Sequence, residues 1–210
     1  MGSLFDKSLS EILRESASSA PTPGGGSVSG IAAAFAAAMA AMVGNLTIGK
    51  KKYKDVEAEV TVLRDKALDL MSTFEALVEE DISQFAKFME AYRLPKNTQE
   101  EKQKREQVLQ QALKGATETP LKVARACVEL LDLVCKLAPI GNTMAISDAG
   151  VAAYLAEAGL RAVLLNVDIN VPMIKDQDFV AQARKEKEGL IEQASKLREK
   201  AVSIVSERMA

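Results

Sequence analysis

Apolar residues recur along most of the chain with the spacing of α-helices, and no stretch of useful length alternates like a half-buried strand. The pattern predicts a short first helix around Leu9, a long amphipathic helix from about Val56 to Tyr92, and a charged last helix from Asp178 to Arg208. We therefore expect an all-α protein, a single-domain bundle of long antiparallel helices that takes up residues 1–210.

A second helix, predicted from about Ser27 to Ile48, is apolar over most of its length and rich in alanine. It is long enough to nearly span a bilayer, but alanine anchors poorly in lipid and lysines 50–52 follow at once. We expect a buried central helix and no membrane association. Its small residues would let neighbouring helices approach closely, which suits the middle of a bundle or the interface of a homodimer.

Proline and glycine divide the second half of the chain. Leu94-Pro95-Lys96 should end the long helix, and a further helix should reach about Gly115. Thr119-Pro120 should then open a new helix, because proline suits the first turn. The next helix should begin at Ser147 or Asp148 as its N-cap and run to about Leu165.

Composition excludes several classes of function. The net charge of −2, the 4% of aromatic residues and the absence of tryptophan argue against a nucleic-acid partner. The chain contains no histidine, which excludes imidazole zinc sites and Ser-His-Asp or Cys-His nucleophiles, and no metal is expected. The amphipathic N-terminus is unlike a signal peptide, and Cys127 and Cys135 should be free thiols, so a cytoplasmic location is expected.

Three glycines, Gly24, Gly25 and Gly26, stand between Pro23 and Ser27 just before the alanine-rich helix. A bare loop that feeds a helix N-terminus lets a ligand reach backbone N–H groups and the positive end of the helix dipole. Ser27 is the expected N-cap. The alternative is a flexible connection with no more than a capping role.

Asp81 is the polar residue that fits its helix least well. On a helical wheel it lies inside the apolar arc that contains Phe74, Leu77, Phe85 and Phe88. A carboxylate facing a core is costly, and desolvation would raise its pKa towards the range useful for proton transfer. It is either a site carboxylate or a buried aspartate paired with a lysine.

A second polar group follows Pro139. Asn142, Ser147 and Asp148 surround the start of a helix, where Asp148 should stay ionised; capping alone would also explain the last two. Asp81 and Asp148 would then form an acid and base pair. Asn166 and Asn170, four residues apart, would share a helix face with donors and acceptors for a heterocycle.

Several motifs together resemble the cyclodeaminase/cyclohydrolase family of folate enzymes. They are Pro21-Thr-Pro-Gly-Gly-Gly-Ser27, Leu46-Thr-Ile-Gly-Lys-Lys-Lys-Tyr53, Asp81 with Phe85, Tyr92-Arg-Leu-Pro-Lys96, Pro120-Leu-Lys-Val-Ala124, Gly141-Asn142 with Ser147-Asp148, and Asn166-Val-Asp-Ile-Asn170. The resemblance covers nearly the whole chain and implies an all-helical fold, usually dimeric, with a folate site in a groove near the subunit interface. Asp168 stands where similar sequences often carry another residue.

The resemblance also implies a set of site residues. Asp81 and Asp148 are expected to be catalytic, and Lys51 in the basic turn, otherwise a solvated helix junction, could attract a glutamate tail. Contacts to a tetrahydrofolate derivative, with or without a polyglutamate tail, are expected from Pro23, Gly24, Gly25, Gly26, Ser27, Asn45, Lys51, Asn142, Ser147, Asn166 and Asn170. No cofactor beyond this substrate is expected.

Two reactions fit this resemblance. We favour conversion of 5-formiminotetrahydrofolate to 5,10-methenyltetrahydrofolate and ammonia, with Asp81 as the proton shuttle. The alternative is the cyclohydrolase reaction, in which 5,10-methenyltetrahydrofolate and water give 10-formyltetrahydrofolate. A non-catalytic folate-binding or helical interaction protein is a third possibility of a different class.

Overall fold

The computed structural model describes residues 3–210, and it confirms the all-α prediction. Within these residues the α-helices are α1 (Leu9–Ser16), α2 (Gly25–Thr47), α3 (Glu57–Arg93), α4 (Gln99–Leu137), α5 (Ile146–Val163), α6 (Leu165–Asn170) and α7 (Gln177–Met209). Short 3₁₀ helices occur at Leu4–Asp6, Lys51–Val56, Thr143–Ala145 and Val171–Met173.

Helices α2, α3, α4 and α5 form an antiparallel bundle, and α7 packs against α4 and α5. Short connections join them, so each helix reverses the direction of the one before. The N-terminus of α2 lies at one end, which we call the pocket end, together with the middle of α3 and with α6. The C-terminus of α2 lies at the far end, where the segment Ala138–Ala145 joins α4 to α5.

The predicted second helix is the centre of the bundle. Its alanines Ala33, Ala36, Ala37 and Ala40 are fully buried, since side chains this small let α3 and α5 pack close to the α2 backbone. The segments Gly25–Thr47 and Thr143–Met173 are long and apolar enough to cross a membrane, but most of the apolar window of each is buried inside the protein. Burial of this kind is what a core helix shows.

The prediction that a new helix opens at Pro120 is wrong, because α4 continues through this residue. Proline has no N–H and so leaves the carbonyl of Ala116 without its helical partner. The side-chain amide of Asn170 takes that place and donates to the Ala116 oxygen at 3.0 Å. A contact from α6 therefore satisfies the interruption within α4.

Two capping predictions are also wrong. Helix α2 begins at Gly25 with Gly24 as its N-cap, so Ser27 lies in the first turn and is free to use its hydroxyl elsewhere. Helix α5 begins at Ile146, after a 3₁₀ turn that Asn142 caps by accepting from the N–H of Met144 at 3.0 Å. Neither Ser147 nor Asp148 is the N-cap of α5.

Helix α7 is attached to the bundle by ion pairs and by carbonyl contacts. The nearly buried carboxylate of Glu157 in α5 accepts from Arg161 at 3.0 Å and from Arg198 in α7 at 2.8 Å. At the far end, Nη1 of Arg208 donates to the carbonyls of Ala138 and Gly141. These contacts fix the segment that carries Asn142.

Candidate functional site

A pocket of about 270 Å³ opens at the pocket end, between the glycine loop, α3, α4 and α6. Its lining combines bare backbone, two amides, one carboxylate and several apolar side chains. The residues that form it are Pro21, Thr22, Gly24, Gly25, Gly26, Asp81, Phe85, Phe88, Ala116, Asn166, Ile169, Asn170 and Met173. Asp81 is the only ionisable residue among them.

Gly26 is the point at which the polar side chains of the pocket meet. A Cβ atom built on Gly26 would lie 2.6 Å from Nδ2 of Asn166 and 2.6 Å from Oδ2 of Asp81. No side chain fits in that space. The absence of a side chain in the first turn of α2 therefore lets a carboxylate from α3 and an amide from α6 converge on the helix N-terminus.

Asp81 is held in a largely apolar environment. Its Oδ2 accepts one hydrogen bond, at 3.2 Å from the hydroxyl of Ser27, and no cation of the described residues pairs with it. Burial raises the pKa of Asp81 above its ordinary value, and the Ser27 hydrogen bond opposes part of this rise. The prediction of a raised pKa is confirmed, and the alternative of a lysine-paired structural aspartate is not supported.

The two amides of α6 have different surroundings. The side-chain nitrogen of Asn170 donates to the Ala116 carbonyl, and Asn170 also lines the pocket. Asn166 makes no side-chain hydrogen bond within residues 3–210 and is available to a ligand. Asp168 lies between them in sequence but pairs with Lys187 of α7, so it does not contribute its charge to the pocket.

The structure brings together six of the predicted site residues at the pocket end. Gly24, Gly25, Gly26, Asp81, Asn166 and Asn170 all line the pocket. Ser27 is buried next to it and touches Asp81. Pro23 is buried in the loop itself, after a cis peptide bond, and does not line the pocket.

The other predicted site residues lie at the far end of the bundle. The side chain of Asn142 donates to the carbonyl of Leu46 at 2.7 Å, and its backbone N–H donates to Thr47 at 2.8 Å. Asn45 is exposed and accepts from Arg64 at 2.8 Å. Three further residues lie at this end, of which Lys51 and Ser147 are exposed and Asp148 is half-buried.

Asp81 and Asp148 therefore do not share a pocket within one chain. Gly159 packs on the carbonyl of Ser29 near the pocket end, and Asp148 lies eleven residues earlier on the same helix. Because those residues cover roughly 16 Å of helix axis, an acid and base pair within one subunit is ruled out. The antiparallel direction of α2 and α5 is the physical reason, and sequence spacing alone could not show it.

Tyr53 is a far-end residue that the sequence motif contained but that was not predicted as a site residue. Its buried hydroxyl accepts from the N–H of Thr143 at 3.0 Å and lies 3.5 Å from Oδ1 of Asn142. The hydrogen bond with the Thr143 side chain and the nearby Lys52 charge lower the pKa of Tyr53. Tyr53 thus ties the basic turn to the Asn142 segment.

The periodicity of α3 predicts Phe85 and Phe88 as members of its apolar face and not as pocket residues. Phe85 and Phe88 belong to the apolar arc of α3, and each is only half-buried where it lines the pocket. The signal that could have identified them was their position on the same face as Asp81. Ile169 and Met173 carried no such signal.

The arrangement suits proton transfer next to a flat, partly apolar ligand. It offers one desolvated carboxylate, a free amide and the N–H groups at the start of α2, with two aromatic rings next to the carboxylate on the same face of α3. Among residues 3–210, no group of three or more cysteine, aspartate or glutamate side chains is placed to hold a metal ion.

Comparison with known proteins identifies relatives over nearly the full length. Methenyltetrahydrofolate cyclohydrolase of Methylorubrum extorquens is 44% identical over 204 residues, which are 97% of this chain and 98% of that protein. Formimidoyltransferase-cyclodeaminase of Rattus norvegicus is 35% identical over 192 residues. The alignment covers 91% of this chain but 36% of the rat protein, so this chain spans about a third of that relative.

A solved structure has the same fold. The crystal structure of formiminotetrahydrofolate cyclodeaminase from Thermotoga maritima matches with a TM-score of 0.85 and 32% identity, over 96% of each chain. The family model described as formiminotransferase-cyclodeaminase matches residues 8–189, which include every pocket residue. These matches confirm the resemblance drawn from the motifs, and the chain belongs to the formiminotransferase-cyclodeaminase family of folate one-carbon enzymes.

Proposed function

We propose that this chain is a methenyltetrahydrofolate cyclohydrolase, which adds water to the one-carbon unit between N5 and N10 of 5,10-methenyltetrahydrofolate. The observation that carries the proposal is the single desolvated carboxylate of Asp81, which faces a pocket without any other ionisable lining residue. The methenyl group is cationic, so a lone carboxylate in an apolar pocket attracts it and can also accept a proton from water.

The proposed reaction uses Asp81 as the base. Water attacks the methenyl carbon and loses a proton to Asp81, which forms a neutral hydroxy intermediate. The bond from this carbon to N5 then breaks, N5 keeps the electron pair and gains the hydroxyl proton, and the carbonyl of the formyl group forms on N10. Asp81 finally releases its proton to solvent. A raised pKa suits Asp81 to both parts of this cycle.

The choice of the hydrolase over the deaminase rests on the relatives. The relative named as a cyclohydrolase is 44% identical, and the alignment covers 97% of this chain and 98% of that protein. The deaminase favoured from the sequence stays a prediction, which the 32% identical Thermotoga maritima enzyme supports. In that reaction N10 loses a proton as it attacks the formimino carbon, and the leaving amine gains one, so Asp81 could serve both transfers.

We further propose a homodimer in which the far end of one subunit completes the pocket of the other. Val28, Phe35 and Met42 recur every seven residues on α2 and are 46%, 50% and 40% exposed, and Val151 and Tyr154 extend this apolar face onto α5. An apolar stripe of this kind suits an isologous contact. If two α2 helices pack antiparallel, Asp148 of the partner subunit approaches Asp81.

A two-substrate assay tests the reaction. Purified protein is given either 5,10-methenyltetrahydrofolate or 5-formiminotetrahydrofolate, and the methenyl chromophore is followed by absorbance with ammonia release in parallel. We expect the protein to accelerate the loss of the chromophore from 5,10-methenyltetrahydrofolate and to release no ammonia from 5-formiminotetrahydrofolate. The D81N variant should abolish turnover while keeping folate binding. Chromophore formation with ammonia would establish the deaminase instead, and no enzyme-dependent change would favour a folate-binding protein.

Mixing two inactive variants tests the shared site. If each pocket combines Asp81 of one subunit with Asp148 of its partner, D81N and D148N are both inactive as pure dimers. Reassembly of an equal mixture should then recover about a quarter of wild-type activity, because half of the dimers are mixed and each has one intact site. No recovery in demonstrably mixed dimers, or a monomer in sedimentation, would reject the shared site.

A further inference from the structure

One face of α3 continues from the pocket to the end of the helix. Asp81, Phe85, Phe88 and Tyr92 follow each other at intervals of four, three and four residues, so they lie on a single stripe. Asp81 forms the inner end of this stripe, whereas Tyr92 is 58% exposed at its outer end. The stripe gives a ligand in the pocket a continuous surface along which it can extend.

The three rings of the stripe form what we call the aromatic ladder, Phe85, Phe88 and Tyr92. The ring centres of Phe85 and Phe88 are 6.5 Å apart, and those of Phe88 and Tyr92 are 6.1 Å apart. Phe85 and Phe88 line the pocket, and Tyr92 lies outside it. Half-exposed aromatic rings at this spacing are suited to stack against a flat apolar group.

A cation stands at the outer end of the ladder. The guanidinium of Arg105 in α4 lies 5.2 Å from the centre of the Tyr92 ring, and its Nε and Nη2 donate to the Tyr92 carbonyl at 3.2 Å and 3.0 Å. Arg105 makes no ion pair with a carboxylate of residues 3–210, and its Nη1 has no hydrogen-bond partner there. The Arg105 side chain is therefore half-buried and held in place by Tyr92, and its Nη1 is available to a ligand.

We infer that the aminobenzoyl ring of the folate lies on the aromatic ladder and that its glutamate carboxylate pairs with Arg105. This inference rests on the proposed function, because it assumes that the one-carbon unit is next to Asp81. Eleven residues of helix separate Asp81 from Tyr92, about 16 Å along the axis. From the one-carbon unit next to Asp81, the aminobenzoyl ring and then the glutamate extend outward in the same order along this stripe.

The order of chemistry along the stripe matches the order of groups in a folate. The carboxylate of Asp81 and the free amide of Asn166 suit the polar reacting end, the rings suit the aminobenzoyl group, and a guanidinium suits a carboxylate. Lys51, the expected partner of the glutamate tail, lies at the far end of the bundle within the same subunit. The inference therefore assigns the first glutamate to Arg105 and leaves any additional glutamates to solvent or other cations.

Substrates with and without glutamate separate this role from a purely structural one. We compare wild type, R105Q and R105K on the 5,10-methenyl derivatives of tetrahydrofolate and of tetrahydropteroate, which lacks the glutamate. R105Q should raise KM for the folate about tenfold, with little change in kcat and little effect on the pteroate. The KM of R105K for the folate should lie between those of wild type and R105Q, since lysine keeps the positive charge but lacks the paired N–H donors of the guanidinium.

The matched control is K104Q, which removes a charge from the neighbouring exposed position and should leave the ratio of the two KM values unchanged. Equal losses on both substrates for R105Q, with a lower Tm, would mean that Arg105 only caps α3 and would overturn the inference. A folate-specific effect in K51Q instead of R105Q would overturn it too. If wild type converts neither substrate, the proposed function fails, and calorimetric binding of tetrahydrofolate and tetrahydropteroate to wild type and R105Q decides the inference alone.

Discussion

The hydroxyl of Ser27 donates to Oδ2 of Asp81 across 3.2 Å, and it is the one hydrogen bond that this carboxylate receives within residues 3–210. Burial raises the pKa of Asp81 and this bond lowers it, so Ser27 adjusts the proton affinity of the proposed base. The prediction of Ser27 as a helix cap would have assigned the same hydroxyl to a backbone N–H.

Replacing Ser27 by alanine should therefore raise the pKa of Asp81 further. The acid limb of the pH profile of kcat/KM should move to higher pH, because more of the carboxylate is protonated at a given pH. The control is S29A, which removes a buried hydroxyl that bonds only to the Gly25 carbonyl in its own helix. An unchanged acid limb in S27A would mean that another group sets it.

The protonation of Asp81 should make the stability of the protein depend on pH in a defined direction. Its folded-state pKa lies above its unfolded value, so the folded state binds the proton more tightly. The stabilisation from protonated Asp81 is present in full below the unfolded pKa, and it is lost as the pH rises through the folded pKa. D81N should accordingly have a higher Tm than wild type at neutral pH, and the difference should disappear in acid; a lower Tm at neutral pH would contradict this expectation.

Gly26 should tolerate no side chain. Alanine at this position would place its Cβ 2.6 Å from both Asn166 and Asp81, so these side chains must move. We expect G26A to lose activity by about a hundredfold or more, as misplacement of a reacting group commonly does. The control is G189A in α7, where no atom lies within 4 Å of the added Cβ and the helix should gain up to about 1 kcal/mol.

Much of the fold was predictable from the sequence, because it depends on local periodicity. The spacing of Val60, Leu63 and Leu70 identified α3, and the alanine-rich segment identified α2 as the buried helix. The continuity of α4 through Pro120 was not predictable in this way. It depends on Asn170, which approaches from a different helix fifty residues later.

The candidate site was predictable only in part. Asp81 was found because a carboxylate in an apolar arc is an exception to a local pattern. The motifs around Asn142 and Asp148 carry equally strong polar signals, but nothing in their spacing shows that an antiparallel helix places them at the other end of the bundle. Residues that belong to the family's motifs therefore do not all line the same pocket.

The contact between Asn170 and Ala116 can be tested with a double-mutant cycle. N170A should lower the free energy of unfolding by about 1 kcal/mol, because the Ala116 carbonyl loses its donor. In the background of P120A, residue 120 regains an N–H that can reach this carbonyl, so the same change should cost less. Urea denaturation of the four proteins gives the coupling, and a coupling of zero would show that Asn170 does not compensate for the proline.

The pocket is built from segments that are remote in sequence, namely residues 21–26, 81–88, 116 and 166–173. Contacts of such long range form late in folding, because the intervening loops must be closed first. A partly folded bundle would contain most of its helices and still lack the pocket. Folate should therefore bind only the completed fold and shift the equilibrium towards it, so the cellular level of this vitamin would also influence how much of the protein survives proteolysis.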